Sequence, residues 1–476
     1  MSKLFVFGIG GTGSRVIKSL VMLLMAGVKS GVDEIIPIII DRDEKNGNMA
    51  DTQTIVNKYR CTQKAFTYKS GKFFSTKISL LNEKLLIPIT DETKKFSEYI
   101  KTDKLNGANQ ALANALFSGK ALDMCTTEGF RGVPSIGSFV LNQIEENEVF
   151  KMFNSDFFQK DDKIFIVSSI FGGTGASGFP LLLKTLRDSK EDNVSKAPIG
   201  AISVLPYFTV GESDEKEKEK VVVDSDTFDD KAVAALHYYD KAVNNLLDRM
   251  YYVGDSKKSI YPYCAGGNKQ KNPAHFVELV AALSIINFAK SDIKPSDSKN
   301  RKTKYYEFGF KSPQQDPSGE KINFEDLADL TKKVIGKPLI QFYAFKKYMD
   351  LIYDEQCNTQ PWSKKSGYNK EFKKGMENNL IPCFATFNNW LQEMGYYENH
   401  KRKFLPFNLE KNDLSFVCGF GDVKKNKQGW AWFDEKLNSM EADVDKNLNP
   451  KQKFLELFYD VTERFVDEKI PNSNNF

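Results

Sequence analysis

The sequence predicts an α/β fold with a parallel, Rossmann-like sheet, and one local pattern that occurs twice predicts it. Residues 3–7 form an apolar run closed by Gly8, residues 14–26 carry helical apolar spacing, and residues 35–40 form a second apolar run ending at Asp41. The pattern returns at residues 163–169, with glycines after them, helical spacing over 178–187 and a further run over 197–205. Short continuous apolar runs are strands buried on both faces. Strand, glycine turn, helix and strand together form a βαβ unit, whose crossover requires parallel neighbours.

The remaining elements follow in order. In the first helix Arg15 and Lys18 are expected to form the polar face. Residues 42–104 are polar and show no clear period. Helical spacing is read over 110–117 and 138–153, a loop over 129–137, and a charged solvated loop over 212–220. A helix is expected over 232–250, with a short strand over 251–253. Residues 273–290 are apolar on most sides, as in a long central helix buried all round. After it come helices over 324–335 and 341–353 and a strand-like run over 415–420. The expected organisation is a nucleotide-binding domain over 1–290, a linker or insertion over 291–322, and a second α+β domain over 323–476.

Composition narrows the function classes. The chain has 476 residues, enough for two or three domains at about 150 residues each. Its 67 basic and 63 acidic side chains leave a net charge of +4, too even to point to nucleic acid or an anionic membrane. Six scattered cysteines without a CxxC pair and only three histidines give no zinc-type cluster, so no metal-ligand set is expected from spacing. The thiols read as reduced, and neither a signal-peptide layout nor a membrane-length apolar run is present, so a cytoplasmic location is expected.

Two glycine loops carry the chemistry. Gly8-Ile9-Gly10-Gly11-Thr12-Gly13 follows a strand and opens a helix, and so does Gly172-Gly173-Thr174-Gly175-Ala176-Ser177-Gly178. Glycine lets backbone close on a phosphate, and a helix N-terminus supplies free N–H groups and partial positive charge. One GxGxxG alone would suit a dinucleotide fold, with an acidic residue about 20 positions on. Asp41 lies 28 positions after Gly13, which is late for that role, and it is either a strand-end turn residue or a ligand. Two loops read as two walls of one polyphosphate site, with hydroxyls from Thr12, Thr174 and Ser177. No GxxxxGK[ST] occurs, which excludes a Walker-type loop.

These loops resemble those of the tubulin/FtsZ superfamily, and the chain looks like a divergent prokaryotic tubulin-like protein. The second loop keeps the GGTG core of the superfamily signature, with Phe171 in place of its first glycine and the small polar residue moved to Ser177. Gly107-Ala108-Asn109-Gln110 resembles the phosphate-wrapping GAN loop. Asn109 also suits a helix cap, and Gly129-Phe130-Arg131-Gly132 is a rival for the wrapping role, with Arg131 facing phosphate or Glu128. Residues 203–208 resemble the strand that leads to the sugar-contacting loop. At the start of the central helix the resemblance implies that His275 stacks on the base and Glu278, three positions on, reads guanine. Alternatively His275 is a satisfied helix-start histidine and Glu278 pairs with a lysine.

The resemblance further implies GTP or GDP with Mg²⁺ as cofactors, GTPase activity and head-to-tail self-assembly into cytoskeletal filaments with nucleotide at each junction. Hydrolysis would be completed in trans by Asn323, Asp326 and Asp329, the match to an NxDFAD loop. That match lies about 30 residues beyond the central helix, so either 291–321 is an insertion or Asp292 belongs to the true loop. The alternatives are a non-polymerising tubulin-like regulator or scaffold in a larger complex, and a dehydrogenase using the first loop alone.

Overall fold

The computed structural model describes residues 2–66, 72–89, 95–213, 223–264, 266–296, 301–308, 319–357, 359–364, 368, 370–420 and 429–471. Residues 214–220 of the charged run lie outside the described residues. In chain order the main elements are β1 (Lys3–Ile9), α1 (Gly10–Met25), β2 (Glu34–Asp41), α2 (Gly47–Phe66), β3 (Lys77–Ile78), β4 (Leu86–Pro88), α3 (Gly107–Leu116), α4 (Pro134–Leu141) and β5 (Lys163–Ser169). Next are α5 (Gly173–Arg187), β6 (Ile199–Val204), β7 (Phe208–Val210), α6 (Phe228–Ala242), β8 (Arg249–Val253), β9 (Ser259–Tyr261) and α7 (Phe276–Ala289). The chain ends with β10 (Lys304–Glu307), β11 (Lys321–Ile322), α8 (Asp329–Leu351), α9 (Ile381–Tyr396), β12 (Lys403–Phe404), α10 (Ala431–Met440) and α11 (Pro450–Lys469).

The expected parallel sheet is present. Its strand order is β10-β8-β6-β5-β1-β2-β3, with β4 also on β2, and every pairing is parallel. The central strands are buried on both faces, as their unbroken apolar runs imply. β2 contains Pro37, which has no N–H to give to a ladder. The outer side of β2 is accordingly shared: β3 pairs at Glu34 and Ile35, and β4 pairs from Ile39 to Asp41.

Several elements differ from expectation for identifiable reasons. The polar stretch after Asp41 holds α2, whose buried positions include Met49, Thr52, Ile55, Tyr59, Thr62 and Phe66. The spacing is helical, but two members of the stripe are threonines, so burial is periodic where hydropathy is not. The two helices expected around Pro338 are one, because α8 continues through it. An interior proline costs about 3 kcal/mol. Against that stand the stacked Phe345 and Phe458 rings at 4.5 Å and the Phe342 and Phe384 rings at 5.3 Å. The helix expected over 138–153 begins earlier, at Pro134, and breaks after Leu141. Among the described residues the strand-like run at 415–420 makes a single bridge, Phe407 to Val417.

Arg15 and Lys18 do not form a solvated face. Both are buried, and Lys18 Nζ lies 2.9 Å from both Asp51 and Glu393. Burial would lower the Lys18 pKa, but Glu393 and Asp51 hold it above its ordinary value. Beyond residue 290, β10 joins the edge of the main sheet, while α8, α9 and α11 build an aromatic core against α2. Among the described residues no helix is long and apolar enough to cross a membrane.

The turn into α1 gives a sharp test. A Cβ on Gly13 would stand 2.5 Å from the Gly8 carbonyl carbon, against backbone that cannot swing away. Gly13→Ala is expected to cost about 3 kcal/mol or more in urea denaturation. Gly107 opens α3 with nothing within 4 Å of such a Cβ, so Gly107→Ala should be neutral or stabilising by up to about 1 kcal/mol.

Candidate functional site

β1 and β5 are adjacent and parallel, with Gly8 opposite Val167, so their carboxyl ends lie side by side. Each runs directly into a glycine loop and a helix, which sets the N-termini of α1 and α5 next to each other. Gly10 adopts φ 71°, a left-handed backbone that turns strand into helix, and a Cβ there would stand 3.3 Å from the Thr174 Cβ. The two loops are therefore in contact. Their free N–H groups and helix dipoles face one open cleft, lined by Gly10, Gly11, Thr12 and Gly172–Gly175.

Three further walls complete the cleft. Gly129, Phe130, Arg131 and Gly132 form one, and a Cβ on Gly173 would lie 3.0 Å from the Gly132 nitrogen. The Glu128 side chain, considered as a partner for Arg131, lies outside the described residues. An aromatic wall is built from Phe171, Phe208, Phe228 and Tyr261, with Phe171 and Phe228 at 4.7 Å and Phe208 and Tyr261 at 4.9 Å. A polar corner holds Asp41, Asp43, Asn46, Gln270 and Asn272. Burial, with Asp43 nearby, pushes the Asp41 carboxyl up to about 7 although it accepts from the Asp43 N–H.

The structure separates the expected site residues into two groups. Gly10, Gly11, Thr12, Asp41, Gly172, Gly173, Thr174 and Gly175 line the cleft. Gly13 lies under it, against Gly8, and the Ser177 hydroxyl turns inward to the Gly173 carbonyl at 2.7 Å. Asn109 sits on the exposed surface of α3, where its N–H is held by the Asn106 cap. The rival loop at Gly129–Gly132 occupies the cleft wall instead.

His275 and Glu278 do not line the cleft; both are fully buried and spent on other partners. Glu278 Oε1 accepts from Arg15 Nε at 2.5 Å and from the Tyr207 hydroxyl at 2.7 Å, while Oε2 accepts from the His275 N–H at 3.0 Å. His275 Nδ1 accepts from the Val277 N–H, and Nε2 meets the Ser259 hydroxyl at 3.0 Å. Burial, with His400 beside it, holds His275 well below its ordinary pKa and hence neutral. The two residues form the capping box of α7. The spacing thus serves the helix-start alternative, with Arg15 in place of a lysine as the partner of Glu278.

The acidic loop also lies off the cleft. The Asn323 N–H donates to Asp326 Oδ2 at 2.9 Å, the Asn323 side chain accepts from the Glu325 N–H, and Asp326 is nearly buried. Asp329 opens α8, exposed and 3.8 Å from Lys332. The aromatic wall and the amides near Gln270 had no sequence signature, since they come from strands, a helix and loops far apart in the chain.

Three solved structures are among those similar to the chain. CetZ from Methanosaeta thermophila strain DSM 6194 aligns at 15% identity over 60% of this chain and 51% of that one, with a TM-score of 0.27. CetZ2 from Haloferax volcanii, in a GTPγS-bound protofilament, aligns at 13% over 62% and 60%, with a TM-score of 0.30. TubZ-Bt, in a two-stranded filament, aligns at 13% over 63% and 58%, with a TM-score of 0.24. The chain thus spans between 51% and 60% of these proteins' own lengths. No protein-family model and no curated protein sequence matches it.

The placement of Glu278 can be tested directly. Removing one partner of a buried ion pair leaves the other charge uncompensated, at about 3–5 kcal/mol. Glu278→Gln should lose stability on that scale in urea denaturation of the empty protein. A variant as stable as the parent would show that the carboxylate is not bound up with Arg15.

Proposed function

We propose that this chain binds a guanine nucleoside triphosphate in the cleft and assembles head to tail, with hydrolysis completed by the next copy. The observation that carries the proposal is the pair of glycine-opened helices, α1 and α5, whose N-termini touch at Gly10 and Thr174. Two helix dipoles and two sets of free N–H groups aimed at one space suit a polyphosphate better than a single phosphate. Guanine is chosen on the resemblance of the loops. The aromatic wall offers a stacking surface, and the amides of Asn46, Gln270 and Asn272 offer hydrogen-bonding groups for a base or ribose.

Magnesium fits the same cleft. Asp41 and Asp43 are hard oxygen donors beside the glycine loops, and a cation there would relieve the mutual repulsion that helps raise Asp41. These two carboxylates would hold it together with phosphate oxygens, and it would neutralise phosphate charge.

The direction of α7 supports completion in trans. Asn272, just before it, lines the cleft, while Ala289 at its far end accepts from Lys163 Nζ at the amino end of β5. Fourteen residues carry the chain about 21 Å, from one end of the sheet to the other. Asp292 follows, exposed and 2.9 Å from Lys294. Head-to-tail stacking brings this end of one copy over the cleft of the next. We therefore place the water-polarising acid at Asp292, with Asp329 as the comparison, since Asp326 is already bonded within its own turn.

Phosphate release per subunit should rise as protein concentration passes the assembly threshold seen by light scattering. Asp292→Asn should lower that rate about 10–100-fold while GTPγS binding is kept. A per-subunit rate independent of concentration would rule out completion in trans. Loss of turnover in Asp329→Asn but not in Asp292→Asn would move the acid to α8. Bound GTPγS without filaments would make the chain a nucleotide-binding regulator.

A further inference from the structure

The amide corner of the cleft is bonded so that it offers donors to a ligand. The Asn48 N–H lies 3.0 Å from Asn46 Oδ1, and a backbone N–H can bond only the oxygen end of an amide. That fixes the orientation of the Asn46 side chain, whose Nδ2 donates to Gln270 Oε1 at 2.5 Å. The Gln270 amide is fixed in turn. Its oxygen is bonded, while no acceptor among the described residues takes the N–H groups of its Nε2. Asn46 and Gln270 both line the cleft.

The backbone beneath is held as firmly. The Asn48 N–H also lies 3.0 Å from the Gln270 carbonyl, the Gln270 N–H donates to the Gly267 carbonyl at 3.0 Å, and the Gly267 N–H donates to Asp43 Oδ2 at 2.6 Å. A Cβ on Gly47 would run into the Asn268 carbonyl oxygen, so the two segments touch backbone to backbone. The corner also adjoins the aromatic wall, because the Tyr261 hydroxyl donates to the carbonyl of Pro273, the residue after Asn272, at 3.2 Å. Wall and corner are two sides of one recess, one built of aromatic rings and the other carrying free N–H donors.

We propose that Gln270 selects the base, by donating from Nε2 to a ring carbonyl. This selection rests on the nucleotide reading above and goes beyond it in naming the reader and the atom that is read. A purine with a ring carbonyl, as in guanine, accepts from Nε2. Adenine carries an amino group at the same place and sets donor against donor. Glu278, a carboxylate that could have met the N–H donors of guanine, is bonded to Arg15 and Tyr207 instead. The exocyclic amino group of guanine is therefore not read, and hypoxanthine, which lacks it, is accepted as readily.

The test titrates GDP, inosine diphosphate and ADP, which differ only in the base, into the nucleotide-free protein by calorimetry. GDP and inosine diphosphate should bind within about threefold of one another and ADP about 10–100-fold more weakly, the scale of a hydrogen bond replaced by an unpaired donor. Gln270→Glu keeps an oxygen for Asn46 and puts an acceptor where the donor was, so the ratio of GDP to ADP affinity should fall by about tenfold or more while the empty protein melts near the parent temperature. Gln270→Met, which removes the donors without adding charge, should lower the ratio in the same direction. Equal affinity of the parent for GDP and ADP would overturn the base assignment and leave the nucleotide reading standing. Inosine diphosphate bound as weakly as ADP would overturn it too, as would a ratio unchanged in both variants. Failure of GDP, ADP and GTPγS alike to bind would overturn the nucleotide reading itself, and this selection with it.

Discussion

The closeness of α1 to β1 decides the geometry of the cleft. A Cβ on Gly8 would meet Ile17 Cδ1 at 2.7 Å, and one on Gly13 would meet the Gly8 backbone at 2.5 Å, so neither position has room for a side chain. That contact lowers the first turn of α1 onto the end of its own strand. With β5 in parallel register beside β1, the lowered turn brings Gly10 against Thr174. Helix dipoles act over about the first turn, so two of them reinforce one another only when the turns lie this close. Bulkier residues at these positions would lift α1 and leave two separate, weaker sites.

A polar layer lies immediately beneath. Arg15 donates to Glu278, to the Tyr207 hydroxyl at 2.7 Å and to Thr12 Oγ1 at 3.4 Å, all out of water. Burial alone would lower the Arg15 guanidinium, but Tyr207 and Glu278 hold it above its ordinary value. A buried pair of this kind adds little net stability compared with a well-packed apolar one. Its consequence is positional: it ties α1, which carries one glycine loop, to the capped first turn of α7. The floor of the cleft and the helix that crosses the sheet therefore share one hydrogen-bonded joint.

The sheet was legible because its central strands are buried on both faces and β1 and β5 run into glycine loops, so residue type and burial agree along β1, β2, β5 and β6. The two glycine loops were legible because a side chain at Gly8, Gly13 or Gly175 would meet backbone within 3.0 Å. Legibility fails where one pattern serves two purposes. Histidine followed three positions later by glutamate at a helix start suits a base-reading pair, and it equally suits a capping box, which is what the buried geometry makes of it. Gly-Ala-Asn before an apolar helix suits a phosphate loop, yet Asn109 merely receives a cap on an exposed helix. Gly129–Gly132 had no motif strong enough to prevail, because its distinguishing property is a backbone angle. The threonines in the α2 stripe and the aromatics that carry α8 past Pro338 likewise act through packing partners far along the chain.

Those distant partners also finish the cleft. Gln270 and Asn272 line it from a loop whose Lys271 pairs with Asp51 at 2.9 Å. Asp51 pairs with Lys18, Lys18 pairs with Glu393 of α9, and Glu393 accepts from the Ala274 N–H at 2.8 Å. Close by, His400 Nε2 meets the Ala274 carbonyl at 2.9 Å, and Arg402 is paired with Asp255. The amide corner is therefore held from both sides, by α1 and α2 in the first half of the chain and by α9 and the segment after it in the second. A loop pinned this way needs less ordering when a ligand arrives, so more of the contact energy remains as affinity. In the proposed reading the glycine loops would meet phosphate, while the wall that would meet the rest of a nucleotide takes its position from residues more than a hundred positions downstream.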